Sequence, residues 1–262
     1  MFFFKWCFKF SHVKIFGIGS VCMNIRVIGT GDMWTKFNSA SYLIDNEILI
    51  DIPNGTCKNL LRIGLSPKDI KHVLITHFHG DHYFDIPFLF LEKSMASSDI
   101  NVYCDRLGKS KIKKVFKLAF PNTVKKVLKN ININYKLDEK FNIDDYKINK
   151  VLVEHGKMKP SYGYIIEKDN IKVGFTGDTL LNSNVEYMAE VCNYLFCDCT
   201  LINGSNKHMG IDNIKYLAKE YSNCKFVVSH MSDDARSELL NINIKNIIVP
   251  NDGDNFNVEK GE

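Results

Sequence analysis

Residues 76–82 read Thr76-His77-Phe78-His79-Gly80-Asp81-His82 and place three imidazoles and one carboxylate within six positions. The apolar run at 73–75 comes directly before them, so we expect the cluster on a loop at the carboxyl end of a strand. Neutral imidazole and carboxylate are the ligands that zinc, manganese and iron prefer. Gly80 allows the backbone to turn tightly between ligands. The stretch therefore predicts a metal site.

Three other apolar runs also end in a possible ligand. The run at 151–153 leads to His155, the run at 173–176 to Asp178 and the run at 226–229 to His230. Each of these residues alone would be more typical of a cap or a core position. Side chains at the ends of neighbouring strands converge on one edge of a sheet, so the sequence predicts one shared cleft for all of them.

Short β-rich runs alternate with helical segments along the chain, which is typical of one α/β domain with helices outside its sheets. The expected strands are 25–28, 42–44, 48–50, 73–76, 150–153, 162–166, 173–176, 194–197, 226–229 and 246–249. The expected helices are 57–63, 66–70, 84–95, 107–119, 185–191, 211–221 and 233–240.

The composition is that of an ordinary globular protein, with 262 residues, 45% apolar and 24% charged, and it has no apolar run long enough for a membrane helix. Three of the basic residues behind the net charge of +4 lie in the first 22 positions. The remainder is nearly neutral, which argues against a large polyanionic partner. The eight cysteines form no CxxC pair, which favours reduced thiols and a cytoplasmic location.

The first 22 residues are rich in Phe and Lys, and the strand-like run begins only after Met23. We therefore divide the chain into an N-terminal extension at 1–22, a domain at 23–250 and a C-terminal tail at 251–262. The extension is interpreted as an upstream addition before a natural start at Met23. The alternative is a short anchor at a membrane surface; no stable membrane association is expected.

The motifs together resemble the metallo-β-lactamase superfamily, and within it the ribonuclease Z-like branch. The HxHxDH motif is residues 77–82, and Gly177-Asp178-Thr179 resembles the bridging-aspartate motif. Gly29-Thr30-Gly31, Leu49-Ile50-Asp51 and Ser229-His230-Met231-Ser232 resemble further family motifs. The resemblance implies an αββα sandwich with two central mixed sheets and helices on the outer faces.

The resemblance also implies a ligand set for two divalent metal ions, Zn²⁺ being favoured and Mn²⁺ the alternative. His77, His79 and His155 would hold one metal, Asp81, His82 and His230 the other, and Asp178 would bridge them. Asp81 would accept the proton of the attacking water. His208 would contact the phosphate or protonate the leaving oxygen, oriented by Asp198, which stands where ribonuclease Z has a glutamate.

Residues 106–129 contain nine basic residues and no acidic one. One interpretation is a patch that binds the phosphates of a nucleic acid. The other is a solvated helix, because Ile112, Val115, Phe116 and Ala119 recur at helical spacing. The second interpretation is favoured.

The interval from His155 to Asp178 has no room for the long arm that ribonuclease Z enzymes use to grip tRNA. Armless relatives include the anti-Pycsar enzymes, which open cyclic nucleotides. We therefore expect a phosphodiesterase for a small phosphodiester, with a cyclic nucleotide favoured as substrate. Alternatives are an endonuclease acting on tRNA 3′ trailers and a hydrolase of a β-lactam, thioester or lactone. By resemblance, a homodimer is expected.

Overall fold

Two seven-stranded mixed sheets form the centre of the computed structural model, which describes residues 21–259. The strands of the first sheet are β1 (Val21–Gly29), β2 (Ser41–Ile44), β3 (Ile48–Ile50), β4 (His72–Leu74), β5 (Ile100–Tyr103), β6 (Ile133–Lys136) and β14 (Asn255–Glu259). Those of the second are β7 (Lys140–Ile143), β8 (Tyr146–His155), β9 (Met158–Lys168), β10 (Ile171–Phe175), β11 (Tyr194–Asp198), β12 (Lys225–Ser229) and β13 (Ile247–Ile248).

Each sheet changes from antiparallel to parallel pairing along its width. In the first sheet the order is β14-β1-β2-β3-β4-β5-β6, and pairing is parallel from β3 to β6. In the second the order is β13-β12-β11-β10-β9-β8-β7, and pairing is parallel from β10 to β13. The carboxyl ends of β8, β10, β11 and β12 consequently lie at one edge.

Helices cover the outer face of each sheet. They are α1 (Thr56–Arg62), α2 (Gly80–Tyr83), α3 (Ile86–Met95), α4 (Gly108–Ala119), α5 (Val124–Asn130), α6 (Ser183–Val191), α7 (Ile211–Glu220) and α8 (Asp233–Leu239). A 3-10 turn at Pro67–Asp69 stands where a helix over 66–70 was expected. Within residues 21–259, no helix combines the length and apolar character needed to cross a membrane.

The alternation of side chains along each strand explains why three layers of core form. In β2, Tyr42 and Ile44 join a cluster between the sheets, whereas Leu43 joins a cluster beneath the helices. The inner cluster also contains Phe175 and Phe196 of the second sheet. A third cluster lies between that sheet and α6 and α7. Because both faces of both sheets are buried, the expected αββα sandwich is confirmed.

The expected domain limits differ from the observed ones at both ends. Strand β1 begins at Val21, two residues before Met23, and pairs Val21 with Glu259. The remainder of the expected extension, 1–20, lies outside the described residues. The segment at 251–262, expected to be a tail, contains β14, which extends the fold to Glu259. Its Val258 is 1% exposed and packs in the inner core, so a hydrophobic contact keeps this strand on the sheet.

The structure also contains elements that the sequence patterns did not predict, namely β5, β6, β7, β14, α2 and α5. The most important for the site is α2, because Asp81 and His82 lie on this short helix rather than on a loop. Only His77 and His79 lie on the irregular segment after β4. Phe84 N–H donates to the Gly80 carbonyl at 3.1 Å and closes the helical turn.

Candidate metal centre

The seven residues expected to be metal ligands lie together at the edge formed by the ends of the strands. His77, His79, His155 and Asp178 form one group, with their ligand atoms all within 4.8 Å of one another. Asp81, His82 and His230 form a second group by the same measure. Residues far apart in the chain thus meet because β4, β8, β10 and β12 end at the same place.

Asp178 contacts both groups through different carboxylate oxygens. Its Oδ2 lies 3.7 Å from His77 Nε2 and 3.8 Å from His155 Nε2. Its Oδ1 lies 3.3 Å from His82 Nε2 and 3.5 Å from His230 Nε2. A carboxylate in this position can donate one oxygen to each of two cations, which is the geometry a bridging ligand needs.

The donor set fits a divalent transition metal. His82 Nε2 is buried, and within residues 21–259 it makes no hydrogen bond. Imidazole and carboxylate groups in this proportion match the preferences of zinc and its neighbours. Burial of uncompensated polar atoms is costly, and a bound cation would satisfy them.

The surroundings lower the pKa of some histidines of the site and raise the pKa of others. Burial, aided by neighbouring imidazoles, lowers the pKa of His77, His79 and His155, so these rings are neutral and able to donate to a metal. Burial also acts to lower the pKa of His230, but Asp178 and Asp81 raise it to about 9. The carboxylates that favour a proton there would equally favour a metal cation.

Asp51 orients His82 through Nδ1, the ring nitrogen that does not face Asp178. Its Oδ2 lies 2.7 Å from His82 Nδ1 and accepts the Thr76 hydroxyl at 2.7 Å, while its Oδ1 accepts the Thr76 N–H at 2.8 Å. Holding Nδ1 leaves Nε2 as the free donor. Asp51 has φ +55, a left-handed conformation that is strained for this residue type. The sequence showed Asp51 at a strand end but gave it no role at the site.

Asp198 and His208 are in contact, as their expected roles require. Asp198 Oδ2 lies 2.9 Å from His208 Nδ1. Burial opposes a charged His208, but the hydrogen bond and charge of Asp198 raise its pKa overall. A ligand atom of His208 lies within 4.8 Å of ligand atoms of Asp178 and His230. The ring therefore adjoins the second group of proposed ligands.

Thr200 links these residues and was not identified as a site residue from the sequence. Its hydroxyl donates to Asp198 Oδ1 at 2.7 Å and lies 2.8 Å from His230 Nδ1 and 3.0 Å from His208 Nδ1. His230 itself has φ +53, so its backbone is in a strained conformation that the surrounding contacts must hold. The sequence feature that could have identified Thr200 is its position two residues after Asp198, just beyond the end of β11.

The profile of a protein family described as "Anti-Pycsar protein Apyc1" matches residues 23–248. Ribonuclease Z of Picrophilus torridus is 30% identical over 181 residues, which cover 62% of this chain and 57% of that protein. Ribonuclease Z of Geobacillus kaustophilus is 31% identical over 124 residues, which cover 46% of this chain and 39% of that protein. The chain thus spans about half the length of the curated relatives it matches.

Solved structures show the same fold at low sequence identity. The metallo-β-lactamase fold protein YhfI of Bacillus subtilis superposes with a TM-score of 0.72 at 17% identity, covering 90% of this chain and 99% of that one. The short form of human tRNase Z gives 0.69 at 17% identity, covering 89% and 98%. A diphosphatase of the PhnP family gives 0.70 at 20% identity, covering 90% and 98%.

Proposed function

Because the chain belongs to the anti-Pycsar Apyc1 family, in the ribonuclease Z-like branch of the metallo-β-lactamase superfamily of metal-dependent hydrolases, we propose that it is a phosphodiesterase for a small phosphodiester, with a cyclic nucleotide as substrate. The observation that carries the proposal is Asp178, whose two oxygens face two separate groups of ligands. The imidazole of His208 lies beside these groups and could donate a hydrogen bond to a phosphoryl oxygen. Two Zn²⁺ ions are proposed, with Mn²⁺ as the alternative.

The proposed ligands form two sets, with Asp178 shared between them. His77, His79 and His155 would hold one cation, Asp81, His82 and His230 the other, and Asp178 would bridge. When bound, such a pair of cations lowers the pKa of a water and stabilises negative charge on phosphoryl oxygens.

The remaining steps are assigned to side chains of this protein. Asp81 is assigned as the acceptor of the proton of the attacking water. Burial acts to raise the pKa of its carboxyl, but contacts with His230 and His82 lower that pKa overall, so the group is ionised and has an oxygen free to accept. His208 protonates the leaving oxygen, with Asp198 stabilising the charged imidazole through the 2.9 Å contact at Nδ1. Asp198 acts through His208 and is therefore a positioning residue.

The test is to assay the protein, loaded with Zn²⁺ or Mn²⁺, on bis-(p-nitrophenyl) phosphate, on 2′,3′- and 3′,5′-cyclic nucleotides, and on a tRNA precursor. We expect hydrolysis of at least one cyclic nucleotide, and about 10²- to 10⁴-fold slower turnover in His208→Ala. A protein that cleaves the tRNA precursor efficiently but no cyclic nucleotide would contradict the proposal.

An endonuclease acting on tRNA 3′ trailers is the second candidate, favoured by the exposed lysines of α4. Lys113, Lys114 and Lys117 are all exposed, while Ile112 and Phe116 on the other face are buried. If α4 binds tRNA, Lys→Gln at these three positions weakens tRNA cleavage and lowers its salt dependence. For a small substrate the same variant should retain full turnover.

Two further properties are proposed on indirect grounds. A homodimer is expected by resemblance and can be tested by sedimentation equilibrium. A cytoplasmic location is supported by the six cysteines with described side chains, all of which are free thiols.

A further inference from the structure

A cleft of about 960 Å³ opens beside the proposed metal ligands His79 and His155. Its other walls come from the turn between β8 and β9 and from the segment before His208. The charged side chains that line it are Glu154, Lys157, Lys159 and Lys207. Three lysines against one glutamate make the cleft basic, although the chain from residue 23 onward is nearly neutral.

The turn between β8 and β9 is short, and this leaves the cleft open. His155 pairs with Met158, so only Gly156 and Lys157 connect the two strands. Gly156 has φ +55, a conformation that glycine adopts without strain. The chain thus reverses immediately after a proposed metal ligand, and Lys157 and Lys159 follow that ligand by two and four residues.

Lys207 contacts His155 through its main chain and the adjacent Gly156 through its side chain. Its carbonyl accepts a hydrogen bond from His155 Nδ1 at 2.9 Å. Its aliphatic stem lies over Gly156, where an added Cβ would come within 2.8 Å of Lys207 Cγ. The stem is therefore placed against the turn, while the ammonium group belongs to the lining of the cleft.

The three ammonium groups have no carboxylate partner within residues 21–259. Other lysines of the second sheet do, since Lys147 and Lys172 both pair with Glu167. Unpaired ammonium groups on the wall of a concave site raise the local concentration of anions. Lysine is also a common ligand for phosphate.

We infer that this cleft is a second anion subsite, which binds a phosphate group of a nucleotide beside the position of the phosphodiester that is hydrolysed. The reacting phosphate lies where the proposed ligands and His208 meet, and of these residues only His79 and His155 line the cleft. A group bound to Lys207 therefore lies to one side of the reacting phosphate. This inference rests on the proposed function for the position of the reacting phosphate. It extends the ligands of the site to nucleotides that carry a further phosphate, while a cyclic nucleotide remains the proposed substrate.

The test compares two ligands that differ by one phosphate, AMP and adenosine 3′,5′-bisphosphate. Their dissociation constants are measured by calorimetry on the metal-loaded protein, and their inhibition constants against bis-(p-nitrophenyl) phosphate. We expect the bisphosphate to bind about five- to thirty-fold more tightly than AMP, the range for a charge pair between an exposed and a partly buried setting. Added salt should reduce this preference.

Lys207→Met should reduce the ratio of the dissociation constants of AMP and the bisphosphate to near one, and Lys207→Arg should retain the ratio of the unmodified protein. Lys219→Met is the matched control, because it removes the same charge from an exposed position on α7. Equal binding of the two ligands, or an unchanged preference in Lys207→Met, would overturn the inference. Calorimetry needs no turnover, so a protein that shows the preference but hydrolyses no diester would contradict only the proposed function.

Discussion

Asp178 is the residue whose removal should have the largest effect on the site. Replacing it by Asn keeps the shape but removes the negative charge that faces His77 and His82. We expect phosphodiesterase activity to fall below detection and metal content, measured by plasma emission spectrometry, to fall from two ions towards one or none. Full activity in the variant would rule out a site built on two bridged metals.

Thr200 provides a finer test, because it contacts neither substrate nor metal in the proposed mechanism. Thr200→Val removes the hydroxyl that joins Asp198 to His230 and His208. Partners that orient ligands typically contribute about 10- to 100-fold in metal affinity or activity, and a loss of that size is expected in kcat or in the metal dissociation constant. Thr200→Ser keeps the hydroxyl and should recover most of it; if it does not, packing of the methyl group explains the effect.

For single residues, the sequence indicated which side chains could bind a metal but not which side chains would contact them. His77 to His82 stand together in the chain, so their grouping could be predicted from it. Asp51 and Thr200 act through hydrogen bonds across strands, and nothing in the neighbouring residues indicates which imidazole each will meet. Only the register of the sheets settles those pairs.

Strand β14 is the element whose contribution to stability is easiest to measure. Val258→Ala removes buried methyl groups from the inner core and should lower the free energy of unfolding by about 1–3 kcal/mol. Asn255→Ala on the exposed face of the same strand is the control and should change it little. Urea denaturation followed by circular dichroism measures both. Equal effects of the two variants would mean that β14 contributes through its backbone alone.

Strand β1 gives a test of the proposed N-terminal boundary. A chain that begins at Met23 loses the Val21–Glu259 pair but keeps four pairs with β14, from Met23 to Arg26. We expect it to fold and to turn over substrate like the full chain. An insoluble or inactive shortened protein would show that the first 22 residues contribute to the fold or to assembly.

Two physical reasons explain why the sequence did not reveal β6, β7 and α2. Strands β6 and β7 lie at edges of the sheets, where half of each strand is exposed and the apolar pattern is weak. Helix α2 is a single turn, too short for any periodicity to show. The long, buried strands were predicted because both of their faces require apolar side chains.

Segments that follow strands of both sheets supply residues to the candidate metal centre, so bound metal would link the two sheets. His77 to His82 follow the first sheet, whereas His155, Asp178 and His230 follow the second. Removing metal with a chelator should therefore lower the melting temperature. The expected decrease is about 10 °C if the free metal concentration before chelation is about a thousand times the dissociation constant. Scanning calorimetry with and without the chelator measures this. The Asp178→Asn protein should show a smaller shift, and an equal shift would point to metal bound elsewhere.

The division of the ligands between the two halves also has a consequence for biosynthesis. His230 follows β12, so the last of the proposed ligands leaves the ribosome only after β1 to β12 have been translated. A nascent chain that ends before residue 155 carries the four proposed ligands of residues 77–82 but not His155, Asp178 or His230. If these residues are the ligands, tight metal binding requires that nearly the whole domain has been synthesised and folded, and a shorter nascent chain would lack the proposed hydrolase activity.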